Sequence, residues 1–236
     1  MIETEKYTIA VHTHDGPYEN FLYVITDKAS GKSAAIDPAW DASLYEQMAA
    51  DSKGTISEIW LTHSHGDHVN AVAELRGDKG TDLYVGAVEA EFWRDTPSDA
   101  ITFADGDTLQ LGETSARVLM TPGHTPGSCC FLLDQHLIAG DTLFTWGCGR
   151  CDLLGGSPKQ MFHSLARLAK DIPGHIQVLP GHNYGDKSNV SMAEQIAGNP
   201  FMLCKTAEDF SQYRMVLHDK TRESPYRAMR AEDLPL

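Results

Sequence analysis

No uninterrupted apolar run in these 236 residues is long enough to cross a bilayer, and the opening Met1-Ile2-Glu3-Thr4-Glu5-Lys6 has no basic stretch leading into an apolar one. A cytoplasmic protein without a membrane partner is therefore expected. Cysteine is scarce and odd in number, with five residues at 129, 130, 148, 151 and 204, which argues against a secreted disulfide framework. Positive charge is short as well: 19 basic residues face 33 acidic ones, for a net charge of −14. Binding a phosphate backbone needs clustered Lys and Arg, so a nucleic-acid partner is not expected. The deficit is uneven. From Phe201 onward six basic residues balance six acidic ones, leaving 13 against 27 before it. This tail suits either an anionic ligand or a solvated helical surface of mixed charge.

What the chain does have is a concentration of imidazole. Thr62-His63-Ser64-His65-Gly66-Asp67-His68 follows a strand-like run over 56–61 and precedes a helix-like run over 69–75. Three imidazoles and a carboxylate on one strand-to-helix connection are donors that suit zinc, iron or manganese. His63 and His65 share the two-residue side-chain period of a strand end and can point to one place. Asp67 has the alternative role of a helix N-cap, which leaves the three histidines unexplained.

Elsewhere, β-branched and aromatic residues predict strands over 7–14, 21–26 and 33–36, with a helix over 42–50. Asp37, at a strand end, reads as a turn aspartate, with orientation of a metal ligand as the alternative. Strand and helix follow at 83–86 and 87–94, then short strands at 101–104, 108–111 and 115–120. The last runs into Thr121-Pro122-Gly123-His124-Thr125-Pro126-Gly127, a rigid turn around one histidine. A hairpin over 130–133 and 136–139 ends in Gly140-Asp141-Thr142, and a strand over 176–179 ends in Pro180-Gly181-His182-Asn183-Tyr184. A helix over 158–170 places Met161, Leu165 and Leu168 at core spacing. Four strand ends thus deliver His or Asp at Gly-containing turns, where layered α and β folds put their ligand sites.

His63-x-His65-x-Asp67-His68, followed by His124, Asp141 and His182, resembles the metallo-β-lactamase superfamily, and within it the glyoxalase II group. The Gly147-Cys-Gly-Arg150 turn and Asn199-Pro-Phe-Met202 carry the closer likeness. The resemblance implies an αββα sandwich, two mixed β-sheets flanked by helices, as a catalytic domain over 1–200 with a short helical extension over 201–236. It implies one metal on His63, His65 and His124, a second on Asp67, His68 and His182, and Asp141 between them. Asp67 and Asp141 are then the catalytic carboxylates. Two divalent ions, zinc first and iron or manganese as alternatives, less two carboxylates and a bridging hydroxide leave a formal charge of about plus one. The implied reaction is attack of that hydroxide on a small-molecule thioester.

The substrate residues follow the family less closely. Arg150 and Asp152 stand where glyoxalase II carries a lysine and a tyrosine for glutathione; Tyr184 matches a substrate-contacting tyrosine, and Lys205 substitutes for an arginine. Arg150-Cys151-Asp152 resembles the loop of the iron persulfide dioxygenases, which makes a mononuclear iron enzyme the alternative. A binding protein that keeps the fold without activity is the third reading. Cys148 and Cys151 have C-x-x-C spacing but no second pair, and a structural role is expected of them.

Overall fold

Seven strands follow one another across a sheet in sequence order: β1 (Ile2–Glu3), β2 (Tyr7–Thr13), β3 (Phe21–Asp27), β4 (Lys32–Ile36), β5 (Thr55–Trp60), β6 (Asp82–Gly86) and β7 (Ile101–Phe103). The computed structural model describes residues 1–77 and 80–236. Pairings from β1 to β4 are antiparallel and those from β4 to β7 parallel. Parallel neighbours need crossover connections, and helices supply them. These are α1 (Ala42–Asp51), α2 (Gly66–Val69), α3 (Val72–Arg76) and α4 (Ala87–Phe92). β3 is buried along its whole length, hence its apolar FLYVITD in place of a two-residue alternation. Tyr45 and Met48 of α1 and Val72 and Leu75 of α3 share a core with Val24, Ile59 and Leu83 of the strands.

The helix expected over 69–75 is instead two short pieces. It starts earlier, inside the histidine motif, and breaks at Asn70 and Ala71. The cause is competition for backbone groups. Ala71 N donates to Pro38 O at 3.1 Å, while Asp67 O accepts from the Asn20 side chain at 3.1 Å, so the helical bond between them is not made.

Packing divides the chain into two units, Met1–Val118 and Leu119–Leu236. The strand that crosses the division, β9 (Thr114–Met120), pairs antiparallel with β8 (Thr108–Leu111). In the second unit β10 (Cys129–Leu132), β11 (His136–Gly140), β12 (Gln177–Pro180) and β13 (Val190–Ser191) continue a six-stranded sheet of order β13-β12-β11-β10-β9-β8. Only β11 and β12 pair in parallel among the registers from β10 to β13, so this sheet too is mixed. Between them lies α5 (Pro158–Asp171), where Ser157 caps the first turn and Pro158 occupies the first helical position. Its Met161, Leu165 and Leu168 are buried, as their spacing predicts.

The C-terminal stretch contains α6 (Met192–Gly198), α7 (Pro200–Leu203), α8 (Ala207–Gln212), a π-helical turn Tyr213–Leu217 and α9 (His218–Thr221). No helix is expected at α6 from the apolar pattern, although Ser191 and Glu194 form a capping box there. Phe201, Phe210 and Tyr213 are buried in the core that contains Met161, Cys148 and Cys151. Full burial of side chains of this kind contributes roughly 1.5–3 kcal/mol each. Among the described residues no helix is long and apolar enough to cross a membrane.

Candidate metal centre

In the first unit the chain leaves β5 and passes through His63 and His65 into α2, which carries Asp67 and His68. His65 is the N-cap residue and makes no side-chain cap bond, so Asp67 lies inside the helix and the capping alternative falls away. His63 and His65 bring ligand atoms within 4.8 Å of each other, as do Asp67 and His68. The rings of His63 and His68 are 4.1 Å apart.

Asp37 organises these rings. It follows β4 in a left-handed conformation, φ 45°, and its two carboxylate oxygens face the histidine loop. Oδ1 accepts from Thr62 N at 2.7 Å, and Oδ2 accepts from Thr62 Oγ1 at 2.6 Å and from His68 Nδ1 at 3.1 Å. With its proton given to Asp37, the Thr62 hydroxyl accepts from His63 Nδ1 at 3.1 Å. Both imidazoles therefore carry their lone pair on Nε2. Asp37 keeps the positive φ of a turn residue, and its buried contacts to Thr62 and His68 suit the alternative reading, orientation of the histidine rings.

Two further groups escape sequence reasoning because each acts from a distant element. Glu89 of α4, 1% exposed, accepts from Ser64 N at 2.8 Å and Ser64 Oγ at 2.6 Å, fixing the backbone between His63 and His65. Asn20 donates to Asp67 O at 3.1 Å and Asp67 Oδ2 at 3.2 Å and accepts from the Trp40 indole at 3.1 Å. Nothing local in the sequence marks either residue.

In the second unit His124, Asp141 and His182 follow β9, β11 and β12, and all three are buried. Nε2 of His124 and Nε2 of His182 lie 3.4 and 3.2 Å from Asp141 Oδ2. His124 Nδ1 donates to the carbonyl oxygen of Arg150 at 2.7 Å, and the His182 ring stacks on Tyr184 with centroids 4.9 Å apart. Glycine makes room for this packing. A Cβ on Gly181 would come 2.4 Å from Asp141 Oδ1, and one on Gly149 would come 2.1 Å from Asp141 O and 2.9 Å from His124 Nδ1.

The donors of each unit fit a divalent cation. Nitrogen and oxygen atoms held about 2 Å from a common ion stand roughly 3–4 Å apart, and the Asp141 distances fall in that range. Imidazole with carboxylate suits zinc, iron and manganese.

The expected substrate residues are placed less tightly. Arg150 grips Asp152 through Nε at 2.9 Å and Nη2 at 2.7 Å, and both side chains are exposed. The hydrogen bond from Arg150 holds the Asp152 carboxyl below its usual range, and the same bond raises Arg150. Tyr184 packs on His182 and Phe144. Lys205 is exposed on the connection between α7 and α8.

Residues 15–182 match the metallo-β-lactamase superfamily. The chain belongs to that superfamily. It is 36% identical over 211 residues, 88% of its length and 94% of the relative's, to a protein of Bacillus velezensis described as a probable polyketide biosynthesis zinc-dependent hydrolase, BaeB. To a hydroxyacylglutathione hydrolase of Methylococcus capsulatus it is 38% identical over 169 residues, which is 70% of this chain and 63% of that one. Among solved structures it resembles ETHE1 from Myxococcus xanthus with a TM-score of 0.80, 29% identity and coverage of 89% and 91%. TTHA1623 in a di-iron-bound form matches with a TM-score of 0.70 and 27% identity, covering 81% of this chain and 99% of that one. This metallo-β-lactamase-superfamily chain thus has the fold class its motifs imply, with two mixed sheets and flanking helices. It is a member of a superfamily of metal-dependent hydrolases.

Proposed function

We propose that the chain is a dinuclear metallohydrolase that cleaves acyl thioesters. One observation carries this reading: two imidazole Nε2 atoms, of His124 and His182, converge within 3.4 Å on a single oxygen of Asp141. A carboxylate so flanked suits a position between two ions. In this reading His63, His65 and His124 would hold one ion and Asp67, His68 and His182 the other, with Asp141 available to both. A pair of divalent cations, zinc as in the name of the Bacillus velezensis relative, supplies Lewis acidity and a water whose pKa is lowered to roughly 7.

The chain's own residues do the orienting. Asp37 and Thr62 hold His68 and His63 by Nδ1, and the Arg150 carbonyl holds His124 in the same way. Asn20 donates to Asp67, the carboxylate that in this reading accepts and returns a proton. A thiol of pKa about 8.5 leaves readily as thiolate, whereas an amide nitrogen needs a positioned acid. Glutathione is disfavoured as the thiol, because Asp152 already occupies the Arg150 guanidinium. The relatives matched over 94% and 93% of their lengths are described as probable polyketide biosynthesis zinc-dependent hydrolases, with no mention of glutathione.

Elemental analysis of protein purified without added metal, followed by thiol release from a panel of thioesters, tests this reading. Two metals per chain and faster turnover of a coenzyme A thioester than of lactoylglutathione are expected. A single iron, oxygen uptake with glutathione persulfide and no thioester turnover would replace it with the mononuclear dioxygenase, the reading favoured by Arg150-Cys151-Asp152.

A further inference from the structure

After α9 the chain folds back along the turn that carries Trp146. Tyr226 N donates to Tyr184 O at 2.7 Å, Asp186 N to Tyr226 O at 2.9 Å, and Met229 N to Gly198 O at 2.8 Å. This return borders an open cavity of about 300 Å³, lined by Trp146, Tyr213, His218 and Tyr226 together with the exposed Arg222, Arg227 and Arg230. It lies in the tail where basic and acidic residues balance, within a chain of net charge −14.

The three arginines differ in how far they are committed. Arg230 is held by Asp233 at 2.8 and 3.1 Å and faces Glu232 at 3.3 Å. Arg222 gives one N–H to Tyr226 Oη at 2.5 Å and lies over that ring, 5.5 Å from its centroid, which leaves other guanidinium donors. Arg227 is exposed and has no acidic partner within the described residues. Against these two cations the rim sets Glu223, since Asp233 is taken by Arg230. The excess favours an anion, and paired guanidinium forks match phosphate oxygens best. One wall of the cavity is linked to the site already described by ring contacts. Tyr226 packs on Tyr184 at 5.7 Å, and Tyr184 stacks on His182.

We propose that this cavity is an anion subsite for the phosphate-bearing end of a phosphopantetheine thioester, held by Arg222 and Arg227. The proposal rests on the thioester reading and names the thiol carrier that reading leaves open. A phosphate seated here is two ring contacts from His182, so a long flexible arm is needed to reach the reacting carbonyl. Phosphopantetheine has such an arm, and glutathione has neither the arm nor the phosphate.

Titration calorimetry of the full metal-loaded chain with coenzyme A, 4′-phosphopantetheine and pantetheine tests it. Both phosphorylated thiols are expected to bind at least about tenfold more tightly than pantetheine, the scale of hydrogen bonds to charged groups. The gap should shrink with added salt and in Arg227→Gln, an exposed change whose retained fold circular dichroism would check. Arg222→Lys, which keeps the charge, should lose less than Arg222→Gln. Equal affinity for pantetheine and coenzyme A, or an unchanged gap in Arg227→Gln, overturns the subsite. Phosphate-dependent binding without turnover of any thioester would uphold the subsite and sink the reaction; turnover indifferent to phosphate would do the reverse.

Discussion

The imidazole of His124 donates through Nδ1 to the carbonyl oxygen of Arg150 at 2.7 Å, across the gap left by the missing side chain of Gly149. A carbonyl only accepts, so the bond selects the tautomer with its lone pair on Nε2, the nitrogen 3.4 Å from Asp141. Gly149→Ala would drive a methyl into Asp141 O and His124 Nδ1. Metal content by elemental analysis should fall by at least one ion per chain, with thermal unfolding showing that the fold is retained. Full occupancy in this variant would mean that the ligand turn yields more easily than its packing suggests.

Asp37 supports His68 directly and His63 through Thr62. Asparagine tolerates the φ of 45° that Asp37 adopts, so Asp37→Asn separates the carboxylate's role from backbone strain. Loss of an outer acceptor of this kind costs roughly 10–100-fold in metal affinity. Competition with a chromophoric chelator measures it, and an unchanged affinity would return Asp37 to the status of a turn residue.

Burial, with Arg214 beside it, pushes the His218 imidazole down to about 4. Asp219 opposes this from the neighbouring position, and Arg222 adds to it. The unfolded chain binds this proton below about 6.5, while the folded chain resists it down to about 4. Stability is therefore fully present above pH 6.5 and is lost as pH falls toward 4, by up to about 3 kcal/mol. His218→Gln can still accept from Arg214 but does not titrate. Chemical denaturation across this range should give a flatter profile for the variant than for the native chain.

All five cysteines are buried, and among the described residues none forms a disulfide. Burial pushes the thiols of Cys130, Cys151 and Cys204 up to about 11, 12 and 12, and Cys148 well above its ordinary value. Thiolate is the reactive form, so the native chain should react with a thiol reagent at well under one equivalent, rising to five in denaturant. Rapid native labelling of Cys148 or Cys151 would reopen a redox role for the C-x-x-C pair.

Local chemistry made much of this protein readable in its sequence. Strands ending in Gly-Asp or Gly-His turns are short-range patterns, so β11, β12 and the turns holding Asp141 and His182 fall near their expected positions. The same holds for α5, whose cap and apolar stripe lie within fourteen residues. The histidine spacing, together with the order of the later motifs, was enough for the superfamily. The break between α2 and α3 was not legible, because it depends on Pro38 and Asn20 taking backbone partners from a helix they do not belong to. Glu89 on Ser64 and Asp37 on His68 were likewise decided by folding. Which buried carboxylate meets which donor depends on where distant elements bring their side chains, and tertiary packing settles that where local pattern cannot.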